Sequence, residues 1–179
     1  MKKILFYIAQ DYYWPSLKPV FEAFANEADC DLFINVAKNS KRYFGIFLIS
    51  LQSKLEERYK TQGYRVTRET EGFDMVFCGA QLKNPQRFGK ALLCNMDHGP
   101  GIKTLRYRHF LKQPETEYIC FLEGQYRIDK FKKYGLDKIE KLYSVGLPKL
   151  DNFFNGFYNK EQLILKWNLD PDKKIILYA

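Results

Sequence analysis

The stretches Asp74-Met75-Val76-Phe77-Cys78-Gly79 and Ala91-Leu92-Leu93-Cys94-Asn95-Met96-Asp97-His98-Gly99 decide the fold. Each is a short apolar run that ends in a turn containing glycine. Runs of that length, without the polar alternation of a half-exposed strand, read as strands buried on both faces of a parallel sheet. Working outward, Ile4 to Ala9, Asp31 to Val36, Tyr118 to Leu122 and Lys141 to Val145 are further strand-like runs.

Helix-like segments separate these runs. Ser16 offers an N-cap for a helix with Val20, Phe21 and Phe24 on one face. The spacing of Phe44, Phe47, Leu48, Leu51 and Leu55 predicts a long helix from Ser40, stopped by Gly63. Gln125 to Tyr134 reads as a helix closed by Gly135. Strands alternating with helices give an α/β fold, a Rossmann-like parallel sheet with helices on both faces. The working groups of such a sheet lie just beyond the strand C-termini, where Gln10, Asp11, Gly79, His98 and Glu123 fall.

The chain of 179 residues is long enough for one full core and marginal for two. Residues 1–155 are assigned to one Rossmann-like domain. Residues 156–179 read as a helix, Lys160 to Leu169, and a strand from Lys174 to Ala179 that begins a second domain. A buried strand with no helix after it carries the expectation of a truncated chain.

A 46% hydrophobic content excludes intrinsic disorder. The net charge of +8 favours anionic partners: phosphorylated substrates, an acidic membrane face or nucleic acid. No RRM, zinc-finger or helix-turn-helix signature accompanies the charge, so nucleic acid is not expected. Cys30, Cys78, Cys94 and Cys120 lie far apart and read as buried apolar residues of a reducing compartment. His98 and His109 are the only histidines and nothing has metal-ligand spacing, so no metal is expected. Without a G-x-G-x-x-G, Walker A or G-x-S-x-G motif, no cofactor is expected either. The apolar N-terminal run is too short for a secretion signal, and no run approaches the roughly 18 apolar residues of a membrane span. A cytoplasmic location follows as the expectation, with peripheral contact on the inner membrane face open. A basic cluster and a broad apolar face on the Ser40 helix would suit an anionic membrane, although packing on a central sheet would look nearly the same.

The segment Asp97-His98-Gly99-Pro100-Gly101-Ile102-Lys103 carries the clearest chemistry. Glycines there let a ligand approach the backbone and leave the imidazole uncovered. A neutral imidazole can accept a proton from a hydroxyl in the transition state. A histidine that only caps the turn is the equal alternative. Lys103, Arg106 and Arg108 could neutralise a phosphoryl group, or form a solvated basic face.

Three pieces in order resemble the CDP-glycerol glycerophosphotransferase family of teichoic-acid primases and polymerases. They are His98-Gly99 with Lys103, then Gly146-Leu147-Pro148-Lys149-Leu150-Asp151, then Lys173-Lys174-Ile175-Ile176-Leu177-Tyr178-Ala179. The likeness runs from about Asp74 onward. It implies a GT-B architecture of which this chain is the N-terminal, acceptor-side half, with a CDP-linked donor held by a C-terminal domain. The implied reaction moves a glycerol-phosphate or related polyol-phosphate group to a phosphorylated or lipid-linked acceptor. His98 then corresponds to the base, with Asp97 beside it as a group that could orient the imidazole or raise its basicity. Gly99, Lys103, Arg106, Gly146, Pro148 and Asp151 are the implied substrate-binding positions. Asp97, Pro100 and Lys149 stand where the family carries Trp, Thr and Arg. Half a GT-B enzyme is expected to be inactive alone. A GT-B sugar transferase, a related nucleotide-sugar epimerase, and a non-catalytic phosphate- or nucleotide-binding module stay open as other readings.

Overall fold

The computed structural model describes residues 1–38, 40–43, 47–50, 52–99, 105–138, 141–157 and 159–174, with the side chains of 40–43, 47–50, 105, 106 and 138 outside that description. The chain divides into two compact units, Met1–Lys149 and Leu150–Ala179.

The first unit is built on six parallel strands: β1 (Lys2–Ile8), β2 (Cys30–Val36), β5 (Met75–Cys78), β6 (Leu92–Met96), β7 (Ile119–Leu122) and β8 (Lys141–Ser144). Their order across the sheet is β2-β1-β5-β6-β7-β8. Period-two alternation sends Ile4, Phe6 and Ile8 to one face, and Leu5 and Tyr7 to the other. Both faces of β1 are therefore closed, and each fully buried apolar side chain contributes roughly 1.5–3 kcal/mol.

On the first face, α1 (Trp14–Ala25) lays Leu17, Val20, Phe21 and Phe24 against Phe6 and Phe77. That i, i+3, i+4, i+7 set is the apolar stripe of a surface helix. The helix begins ahead of Ser16, with Tyr13 at its N-cap position and Pro15 in its first turn. Ser16 is thus not the cap. Its hydroxyl is buried in the first turn, with no hydrogen-bond partner among the described residues. On the second face, α3 (Leu105–Leu111) and α4 (Gln125–Lys133) supply Tyr107, Phe110 and Phe131 to a core with Val76, Leu93, Cys120 and Leu122.

The expected long helix from Ser40 is not formed. β3 (Ser40–Tyr43) and β4 (Phe47–Ser50) form an antiparallel pair, and the helix α2 runs only from Gln52 to Thr61. Aromatic and β-branched residues favour strands, and Gly45 inside a helix would cost about 1 kcal/mol relative to alanine. Phe44 and Leu51 of the expected stripe lie outside the described residues. Among the described residues, the apolar helix face of that segment is not formed. Gly63 does follow α2 as a stop, at φ +86°. Beyond it, Val66 bridges to Ile34, and backbone bonds from Ile34 N–H to Arg65 O and from Thr67 N–H to Ile34 O occupy the outer edge of β2.

The second unit contains α5 (Asp151–Phe154) and α6 (Lys160–Lys166). Asn159 caps α6 by accepting from the N–H groups of Glu161 and Gln162. The expected strand from Lys174 to Ala179 lies outside the described residues beyond its first position. Among the described residues, no helix is long and apolar enough to cross a membrane.

Candidate functional site

The chain leaves β1, forms β2 on one side, then returns past β1 to form β5 on the other. The ends of β1 and β5 therefore flank a topological switch point, the crevice where ligands settle in open parallel sheets. Three segments meet there: the turn Asp11–Tyr13 after β1, Gly79 after β5, and His98 after β6.

Gly79 is the hinge of this meeting. A Cβ at this position would lie 2.5 Å from Cγ of Tyr13, so only glycine lets the Tyr13 ring lie against the backbone. The Gly79 carbonyl then accepts from Nδ1 of His98 at 2.8 Å. A carbonyl only accepts, so the Nδ1 nitrogen carries the proton, and the neutral ring has its basic lone pair on Nε2. The rings of Tyr13 and Tyr12 pack on the imidazole, with centroids 4.5 and 5.5 Å away. His98 is half-buried and its orientation is set from several sides.

Asp97 faces elsewhere. Its Oδ2 accepts from Nη2 of Arg127 at 3.0 Å, and both side chains are essentially inaccessible to solvent. Arg127 also donates from Nε to Glu123 at the end of β7 and from Nη1 to the Tyr107 hydroxyl. Nδ1 of His98 is bonded to the Gly79 carbonyl, and Oδ2 of Asp97 to Arg127. Asp97 works on the backbone: its pair with Arg127 ties the end of β6 to β7 and α4. Burial raises the Tyr107 hydroxyl above the usual tyrosine range, although Arg127 opposes the shift.

The second motif reaches the same place. Gly146, at φ +82°, turns the chain after β8, and Pro148 opens the 3-10 turn Pro148–Leu150. Lys149 then donates from Nζ to the carbonyl of His98 at 2.8 Å and lies beside Gly99. Lys149 is thus the residue that joins two segments far apart in the chain. Asp151 belongs to the second unit, where it starts α5. Lys103 lies outside the described residues, as does the side chain of Arg106, whose backbone is in α3.

Beside His98, a cavity of about 320 Å³ opens over the ends of β1, β2 and β5. Tyr13 belongs to its wall, along with Lys38, Gln81, Lys83 and Arg87. Of these, Lys38 stood out in the sequence only as part of the basic cluster before the Ser40 segment, and Tyr13, Gln81, Lys83, Arg87 and Arg127 did not stand out. The one available signal was the i, i+4 spacing of Glu123 and Arg127. No protein-family model matches the chain, and no curated protein matches its sequence.

Proposed function

We propose that this chain forms the acceptor-side domain of a GT-B transferase that moves a glycerol-phosphate or related polyol-phosphate group from a CDP-linked donor to a membrane-associated acceptor in cell-envelope polymer synthesis. One observation carries the reading. Two motifs that resemble the glycerophosphotransferase family, His98-Gly99 and Gly146-Leu147-Pro148-Lys149, meet through the Lys149 bond to the His98 carbonyl at the C-terminal edge of a parallel sheet.

In the proposed step, Nε2 of His98 takes the proton of an acceptor hydroxyl as its oxygen attacks the donor β-phosphorus. The new P–O bond forms as the bond to the bridging oxygen breaks, and CMP leaves with that electron pair. The Gly79 carbonyl keeps the ring in the tautomer this needs. Donor binding is assigned to a C-terminal domain, as the resemblance implies.

The test is CMP release from CDP-glycerol with a lipid-linked acceptor, measured on the gene's full-length product. His98→Gln is expected to lower kcat by about 10²–10⁴, the usual contribution of a positioned general base. An unchanged rate in that variant removes His98 from the mechanism. Transfer from nucleotide sugars alone would move the protein to the sugar-transferase reading.

A further inference from the structure

We propose that the cavity over the ends of β1, β2 and β5 binds the phosphate group of a phosphomonoester. Lys38, Lys83 and Arg87 line it, and none of the described residues on its wall carries a carboxylate. Among the described residues, none of these three cations has a carboxylate partner in an ion pair. Positive charge held around a concave space without internal neutralisation selects an anion. Uncharged donors point to the same chemistry. Gln81 and Asn84, whose side-chain amides carry donors, also line the cavity. Side-chain amides on the wall can donate to phosphate oxygens.

The wall is pre-organised. The Arg87 guanidinium lies over the rings of Tyr7 and Phe88, 5.7 and 5.4 Å from their centroids. The loop that carries Lys83 is pinned at three backbone atoms. Leu82 N–H donates to the Tyr118 hydroxyl at 3.2 Å, and Gln113 Nε2 donates to the carbonyls of Leu82 and Lys83 at 3.2 and 3.4 Å. A planar guanidinium with a fixed orientation suits bidentate contact with phosphate oxygens. At about 320 Å³, the cavity is at the small end of the range for small-molecule sites, room for a phosphate and a short polyol.

Tyr13 connects this cavity to His98, since it lines the one and packs on the other. A phosphate held by Lys38, Lys83 and Arg87 would direct the rest of its molecule past Tyr13 to the imidazole. This last link rests on the transfer reading above; the anion site does not.

The experiment titrates the whole chain with inorganic phosphate and with glycerol 3-phosphate at constant ionic strength, followed by amide and arginine side-chain NMR. Saturable shifts at Leu82–Asn84 and at Arg87 are expected. Lys83→Gln with Arg87→Gln should weaken both ligands about ten-fold or more, because charge-assisted bonds are lost. His98→Gln should leave inorganic phosphate affinity within about two-fold, because histidine is one ring removed from the site. Both altered cations are on exposed residues, and an unchanged circular dichroism spectrum will show that the double variant is folded. No saturation with either ligand, or equal affinity in the double variant, overturns the proposal. A parallel arm uses phosphatidylglycerol vesicles. Arg87-dependent vesicle binding that soluble phosphate does not displace would overturn the phosphomonoester assignment in favour of a lipid surface. Active, His98-dependent transfer without phosphate binding sinks only the cavity assignment, whereas phosphate binding without transfer sinks only the transfer reading.

Discussion

Gly79 gives its carbonyl to His98 and its missing side chain to Tyr13, so one substitution tests both contacts. In Gly79→Ala the new Cβ would meet Cβ and Cγ of Tyr13 at 2.6 and 2.5 Å, closer than any real contact, and the ring must move. Overpacking of that kind costs typically 1–3 kcal/mol. Urea unfolding should show that loss, and the imidazole resonances of His98 should shift with the displaced ring. Stability and imidazole signals that both match the parent would mean Tyr13 has another place to go. Arg127 offers a second test, because it is fully buried between Asp97 and Glu123. Removing one partner of a buried ion pair leaves the other charge uncompensated, so Arg127→Met is expected to cost about 3–5 kcal/mol. Adding Asp97→Asn should return part of that loss. Additive losses in the double-mutant cycle would deny the coupling. His98 was legible in the sequence because a histidine in a glycine loop after an apolar run is a local pattern. Tyr13 and Lys149 act through partners distant in sequence, Gly79 was readable only as a strand end, and Arg127 only through its i, i+4 spacing from Glu123.

Asp11, in the turn after β1, accepts from both the Arg58 guanidinium and the Tyr59 hydroxyl of α2, the latter at 3.0 Å. Hydrogen bonding from Arg58 holds the Asp11 carboxyl below its ordinary range. Burial, with Asp11 adding to it, pushes the Tyr59 hydroxyl up. The folded chain therefore releases the Asp11 proton more readily than the unfolded chain, whose carboxyl titrates near about 3.9. The stabilisation is complete above that value and disappears as pH falls through the lower, folded value. Asp11 and Arg58 side chains are both nearly half exposed, at 47% and 44%, so solvent screening limits the pair to about 1 kcal/mol or less. Asp11→Asn should lower Tm by a few degrees at pH 7. The two melting curves should converge as the carboxylate of the parent is protonated in acid. A gap that persists undiminished at low pH would show that shape, not charge, holds the turn to α2. The strands were readable as short apolar runs, four of them followed by a turn that contains glycine. The pairing of Ser40–Tyr43 with Phe47–Ser50 was not, because apolar residues at helical spacing can also lie on a strand pair, and the pairing partner decides between them.

Across the whole molecule, the alternation of runs declared a parallel sheet, but its order depends on which crossover passes which strand. That order, with β1 and β5 central to the switch point, is what brings Tyr13, Gly79 and His98 together. It also grades stability across the sheet. β1 is hydrogen-bonded on both sides, to β2 over seven residue pairs and to β5 over four. The outer edge of β2 is occupied at Ile34 by the 65–67 segment. β8 is bonded to β7, has no second strand neighbour among the described residues, and leaves Tyr143 about half exposed. Local opening exposes weakly packed, singly paired backbone first, while doubly paired core strands open only with the whole unit. Native-state amide exchange should therefore be slowest in β1 and β5, at the global unfolding free energy, and faster in β8. If β8 were as protected as β1, its outer edge would have to be covered. If β1 exchanged early, the switch point would not be a rigid floor, and the fixed geometry of Gly79 and His98 would lose its basis.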